Sequence, residues 1–123
     1  MNSYKKSGFE HFISAFRWSV DGFKSALREE AAFRQEMVLF VFLAPTGFWL
    51  GHTAIEIVFL VGSLFLVLIV ELLNTAVETA IDRVGTEKHP LSKKAKDVGS
   101  AAVMLSILNV IFVWGVLILG PNI

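Results

Sequence analysis

Glu71, Asn74, Glu78 and Asp82 stand three, four and four residues apart in the chain. At about 100° per residue, a helix gathers them on one narrow face, with Thr75 beside it. The stretch that holds the first three, residues 57–81, carries no charge besides Glu71 and Glu78. An ionised group deep in a bilayer costs roughly 2.5–3.5 kcal/mol on insertion scales. Two glutamates and an asparagine on one face of so apolar a segment are therefore expected to turn away from lipid. Glu78 and Asp82 can also be read as carboxylates close enough to a membrane surface to reach water. Glu71 lies about 15 Å further in along the helix, and an ionisable group at that depth is a functional candidate by default. A proton- or cation-coupled transporter is one class such a residue fits; a structural membrane subunit, in which Glu71 is replaceable, is another.

Other polar groups are placed to meet this face. Glu29, Glu30, Arg34, Gln35 and Glu36 precede one apolar stretch, and Lys93, Lys94, Lys96 and Asp97 precede another. Glu30 and Arg34 are spaced i,i+4, which predicts a helix-surface ion pair worth a few tenths of a kcal/mol. Lys93 and Lys94 read as membrane-surface anchors. Gly99, Ser100, Ala101 and Ala102 are small enough for close helix packing, or for a phosphate chain near a helix start. His11, His52 and His89 are scattered, with no metal-binding pair among them.

The elements that position these groups follow from composition. Of 123 residues, 54% are hydrophobic and only 18% charged, and mean hydropathy is +0.64. That is too apolar for an ordinary soluble domain of this length and excludes disorder. There is no cysteine, hence no disulfide framework and no thiolate chemistry. A net charge of +0 argues against nucleic-acid binding. Residues 37–55 and 98–123 are free of charge, and 57–81 nearly so. A bilayer core takes about 20 apolar helical residues. Three transmembrane helices are expected, over about 31–52, 57–82 and 97–119, in a single domain spanning 1–123. Pro45, Gly47 and Gly51 interrupt the first, whose alternative bounds are a start near Ala31 or an end near Leu50.

All 11 lysines and arginines fall on one side of this three-span topology. The positive-inside rule makes that side cytoplasmic, holding the N-terminus and loop 83–96, with the C-terminus periplasmic. The first 36 residues are polar and amphipathic, without the short apolar core of a cleavable signal peptide. Phe9, Phe12, Ile13, Phe16, Val20, Phe23 and Leu27 form an apolar stripe at helical spacing, with Arg17, Lys24 and Arg28 off it. This predicts a surface helix over about 8–30, lying in the membrane interface or packed on partner helices. Residues 85–92 read as a loop, Pro90 ending or kinking what precedes it and Ser92 capping the helix that follows. Three helices cannot wall off a polar face on every side, so an oligomer is expected.

Three blocks carry a resemblance: Glu30-Ala-Ala-Phe-Arg-Gln-Glu36, Val70-Glu-Leu-Leu-Asn-Thr-Ala-Val-Glu-Thr-Ala-Ile-Asp-Arg83 and Leu91-Ser-Lys-Lys-Ala-Lys-Asp-Val-Gly-Ser-Ala-Ala-Val103. Together they resemble the prokaryotic integral-membrane diacylglycerol kinases, in order over about residues 8–119, and the first block is nearer the Gram-negative branch. The resemblance implies an all-α membrane protein, a homotrimeric bundle of three-span chains each with an N-terminal amphipathic surface helix. It implies an inner-membrane enzyme of phospholipid metabolism that phosphorylates the primary hydroxyl of diacylglycerol from ATP to give phosphatidate, at sites shared between subunits. Glu71 would be the general base, and Glu30 and Glu78 the Mg²⁺ ligands. Lys96, Asp97, Glu78, Asp82 and Trp18 would contact ATP. Asn74, Gly99, Ser100, Ser19 and His11, with Glu71, would contact the lipid substrate. Neither a P-loop nor a protein-kinase signature is present. His11 stands where the family pattern suggests arginine, Pro90 where it suggests an acid, and Ser14-Ala-Phe-Arg-Trp-Ser19 is bulkier than the pattern. An undecaprenol kinase of the same superfamily is the alternative substrate reading.

Overall fold

The computed structural model describes residues 7–120. Lys5 and Lys6, counted above with the cytoplasmic cations, lie outside the described residues, as do 121–123. Four helices follow one another: α1 (Gly8–Glu29), α2 (Ala31–Leu50), α3 (Ala54–Val84) and α4 (Pro90–Leu119). The connections are short. Glu30 alone separates α1 from α2, residues 51–53 join α2 to α3, and 85–89 join α3 to α4. Short links between long helices make antiparallel neighbours, and α3 packs on both α2 and α4.

The helix ends have local causes. The Ser7 side chain accepts from the Glu10 N–H, and the Thr53 side chain from the Glu56 N–H, as N-caps do. Ser92, expected to cap the last helix, lies inside it; His89 is the N-cap, its Nδ1 accepting the Leu91 N–H at 3.1 Å. Pro90 is then the first helical residue, where a missing N–H removes nothing. The loop expected over 85–92 is accordingly shortened to 85–89. Pro45 and Gly47 do not break α2, which runs on to Leu50. Gly47 has a packing reason: a Cβ there would lie 3.2 Å from Val61 Cγ2 and 3.3 Å from Leu60 Cβ, where α2 and α3 come together.

Two small apolar clusters hold the bundle. Ala26, Phe33 and Leu68 join α1, α2 and α3, supported by Met37, Phe40 and Leu72. Ala44, Val61 and Leu64 join α2 to α3, with Val110 and Trp114 of α4 against them. Trp114 Nε1 donates to the Leu60 carbonyl at 3.1 Å, tying α4 to α3. Most other large apolar side chains face outward, Phe9, Phe12 and Phe16 of α1 among them. The first half of the α1 stripe thus has an open apolar face, while Phe23 packs on Phe33 with ring centroids 6.1 Å apart.

Among the described residues, α3 and α4 are the helices long and apolar enough by themselves to cross a membrane. α2 falls short because Arg34, Gln35 and Glu36 occupy its first turns. Its charge-free part, 37–50, is about 21 Å long at 1.5 Å per residue. The stretches 57–82 and 97–119, expected as spans, fall inside longer helices: α3 has 31 residues and α4 has 30. Each is about 45 Å long, some 15 Å more than a hydrocarbon core.

Candidate functional site

The site is built along the second half of α3, where exposure rises step by step. Glu71 is buried at 6% exposure, Asn74 and Glu78 are half-buried, and Asp82 is exposed. Glu71 lies 17 residues beyond Ala54, about 26 Å along the helix. If α3 enters hydrocarbon at its start, Glu71 reaches the opposite boundary and the following turns stand beyond it. On that placement the carboxylate row would run from the edge of the apolar layer into water.

Packing brings further groups to Glu71. The side chain of Glu36, on α2, lies directly against that of Glu71, and Glu78 and Glu30 are close enough to act on Glu71 by charge. Four carboxylates from α2, α3 and the α1–α2 elbow thus share one neighbourhood. None of the four forms a salt bridge among the described residues, and Glu36 Oε2 is buried without a hydrogen-bond partner there. No group of three acidic or histidine side chains among the described residues is arranged to enclose a metal. Mg²⁺ does not need one: it is usually held by one or two carboxylates, keeping waters and phosphate oxygens as its other ligands. The donor set of Glu30 and Glu78 fits that chemistry.

Asn74 links α3 to α4. Its Nδ2 donates to Glu78 Oε1 at 3.2 Å. Its Oδ1 is buried without a partner among the described residues, directly against Gly99, where a Cβ would collide with it. Gly99 thus leaves room for the Asn74 amide, which a side chain at position 99 would push aside.

The cationic end lies one to two turns further out. Lys96 Nζ donates to Asp82 Oδ1 at 2.9 Å, joining α4 to α3, and Lys93 Nζ donates to Asp97 Oδ2 at 2.6 Å. Hydrogen bonding first and charge second hold both ammonium groups above the usual lysine value, Asp82 acting on Lys96 and Asp97 on Lys93. Glu78 adds to the field at Lys96. An open cleft of about 760 Å³ covers this end, lined by Asp82, Glu87, Lys88, His89, Lys96 and Asp97 among others. A groove of about 540 Å³ between α3 and α4 has Asn74, Lys94 and Gly99 in its walls. Another, of about 720 Å³, runs between α1 and α3 past Ser19, Thr75, Thr79 and Arg83.

One chain therefore brings together Glu30, Glu71 and Glu78, then Asn74 with Gly99, then Lys96 with Asp82. Ser19 borders the α1–α3 groove, its hydroxyl donating to the Ala15 carbonyl at 2.9 Å. His11 and Trp18 are exposed on α1, and Ser100 is exposed on α4. One contact departs from the sequence expectation. Arg34 does not pair with Glu30; its Nη1 donates to the carbonyls of Leu27 and Arg28 at 3.0 and 2.9 Å. Glu36, one of the five polar residues expected to be able to meet this face, is the group against Glu71. Its spacing from Phe33 and Phe40 put it on the inward stripe of α2, and that was the available signal.

The chain is similar to known proteins over most of its length. The family described as prokaryotic diacylglycerol kinase matches residues 17–118. A diacylglycerol kinase of Haemophilus influenzae is 49% identical over 112 residues, covering 91% of this chain and 95% of its own. That of Escherichia coli K12 is 44% identical over 112 residues, covering 91% and 92%. That of Pseudomonas aeruginosa is 43% identical over 115 residues, covering 94% of each.

Proposed function

Because the chain belongs to the prokaryotic diacylglycerol kinase family, we propose that it transfers the γ-phosphoryl group of ATP to the primary hydroxyl of a diacylglycerol, giving phosphatidate and ADP. The observation that carries the site assignment is the group of carboxylates gathered around buried Glu71, none of them in a salt bridge among the described residues; in the proposed topology it stands at the boundary of the apolar layer. A diacylglycerol presents its hydroxyl at that boundary, and a nucleotide comes from water beyond it.

Phosphoryl transfer needs positioning, charge neutralisation and a destination for the hydroxyl proton. Glu71 accepts that proton as the lipid oxygen bonds to the γ-phosphorus and the bond to ADP breaks. Asn74 holds Glu78 through its Nδ2 while its amide fills the space at Gly99, and the α3–α4 groove that Asn74 and Gly99 line, with exposed Ser100 beside it, takes the glycerol. Glu30 and Glu78 are the residues that would hold Mg²⁺, which supplies neutralisation of the phosphate charge when bound. Lys96 donates to phosphate oxygens, steadied at the α3–α4 end by Asp82. Asp97 and Trp18 complete the nucleotide contacts, and Ser19 and His11 the lipid contacts.

The architecture proposed with this function is one domain of three membrane spans in the inner membrane, with α1 on the cytoplasmic surface. α2 serves as the first span because a three-residue turn returns the chain from it into α3. The α1–α2 elbow, the end of α3 and the start of α4 then share the cytoplasmic side, and the C-terminus is periplasmic. A homotrimer covers the outward face of the carboxylate row and lets one chain complete another's site. The test is purified protein in mixed micelles with radiolabelled ATP and Mg²⁺, offered diacylglycerol and undecaprenol separately. Labelled phosphatidate is expected. A preference for undecaprenol would overturn the substrate assignment, and ATP-independent cation transport across sealed vesicles with no lipid phosphorylation would overturn the kinase reading.

A further inference from the structure

Glu30 is the one residue between two long helices, and its backbone serves both. Its φ and ψ are −113° and 110°, its N–H donates to the Ala26 carbonyl at 2.9 Å, and its own carbonyl accepts the Arg34 N–H at 3.1 Å. Its side chain caps nothing. Where the Glu30 carboxylate points is therefore decided by the angle between α1 and α2. Apolar packing of Ala26 and Phe23 on Phe33 holds the two helices against each other. The last carbonyls of α1, which a helix end leaves without intrahelical partners, offer a second, polar hold at the elbow itself.

Arg34 Nη1 takes two of those carbonyls, Leu27 and Arg28. A cation at a helix C-terminus is favoured by the helix dipole, and a guanidinium brings fixed, planar donor geometry. The Arg34 side chain thus bridges from the first turn of α2 back across the elbow to the last turn of α1. The same bridge removes the i,i+4 cation that would otherwise sit on Glu30. We propose that Arg34 is a positioning residue: by clamping the end of α1 it fixes the elbow that aims the Glu30 carboxylate, and it leaves that carboxylate unpaired and available to a divalent cation. The second part rests on the reading of Glu30 as a metal ligand given above; the clamp itself does not.

The chain has no cysteine, so spin labels can be placed at will. The experiment compares native protein, Arg34→Gln and Arg34→Lys in lipid nanodiscs, each labelled through Asp21→Cys on α1 and Val38→Cys on α2 and assembled with an excess of unlabelled protein of the same variant, so that the distance is read within one chain. Electron–electron distance measurements read the elbow, and Mg²⁺ titrations at saturating ATP read the metal. The expected result is one narrow distance in the native protein, a broad distribution in Arg34→Gln and an intermediate one in Arg34→Lys. The Mg²⁺ half-saturation is expected to rise about tenfold in Arg34→Gln, with KM for diacylglycerol within twofold of native. A native-like distance distribution in Arg34→Gln overturns the clamp. If that variant does not assemble, the same distance in Arg34→Lys decides. A loosened elbow with an unmoved Mg²⁺ curve overturns the aiming of Glu30, provided that Glu30→Gln, run in parallel, does shift the curve. If Glu30→Gln leaves the curve where it was, the metal assignment of Glu30 is what fails, and the clamp stands or falls on the distances.

Discussion

Adding one methyl group at position 99 separates position from stability. In Gly99→Ala the new Cβ occupies space held by Asn74 Oδ1. The amide is the end of a side chain, so it swings aside rather than forcing the helices apart. The swing breaks the 3.2 Å hydrogen bond from Asn74 Nδ2 to Glu78. Losing one such bond to a carboxylate costs about 1.5–3 kcal/mol. Replacing glycine by alanine inside a helix returns roughly 0.5–1 kcal/mol. The remainder is on the order of 1–2 kcal/mol, so the midpoint of thermal unfolding should fall by several degrees while the protein stays folded at the assay temperature. Turnover should fall further, because misplacing a ligand-bearing group by an ångström costs on the order of 10²-fold. The assay is phosphate transfer from Mg-ATP to diacylglycerol, alongside thermal unfolding in the same detergent. Gly99→Ala should add nothing once Asn74→Ala is present, since the collision partner is gone. Native turnover and a native Mg²⁺ dependence in Gly99→Ala would refute the coupling of Gly99, Asn74 and Glu78. So would an activity loss that merely follows unfolding.

Three other outcomes are expected. Glu71→Gln should lower turnover by roughly 10²–10⁴-fold, the usual contribution of a general base, with unchanged assembly by size-exclusion chromatography; near-native turnover would remove Glu71 from that role. Glu78→Gln should shift the Mg²⁺ titration by at least the ~10–100-fold that outer-shell changes produce, and an unchanged curve would contradict its ligand role. The Lys96–Asp82 clasp raises the folded-state value of the Lys96 ammonium, so its stabilisation is complete below the ordinary 10.5 and is lost only as pH rises past the raised value. Amide exchange over residues 90–97, corrected for its intrinsic pH dependence, should therefore show constant protection through neutral pH. Lys96→Met should lower that protection, and a native-protein loss of protection near neutrality would contradict the clasp.

Much of this was legible in the chain before folding. The row Glu71, Asn74, Glu78 and Asp82 follows from the helical repeat alone, because all four lie on one element. The apolar runs mark where α3 and α4 lie, but not how far each continues past its last apolar residue. What was not legible depends on contacts between elements. Glu36 meets Glu71 only because α2 folds back antiparallel on α3. Arg34 was expected on Glu30 by local spacing, and the unpartnered carbonyls of α1 compete for it successfully. Ser92 is the commoner capping residue, yet Pro90 favours the first helical position and so moves the cap to His89.

The outer surface of α4 has a consequence for how durable the fold is. Only 6% of its most apolar stretch is buried, against 33% for α3. Such a helix draws little of its holding energy from the chain it belongs to. Whatever covers it, acyl chains or further copies, enters the folding equilibrium as a reactant. The unfolding midpoint should therefore drift with protein-to-lipid ratio and with the thickness of the host bilayer. Two laboratories that use different detergents should measure different numbers for the same sequence, and both would be right.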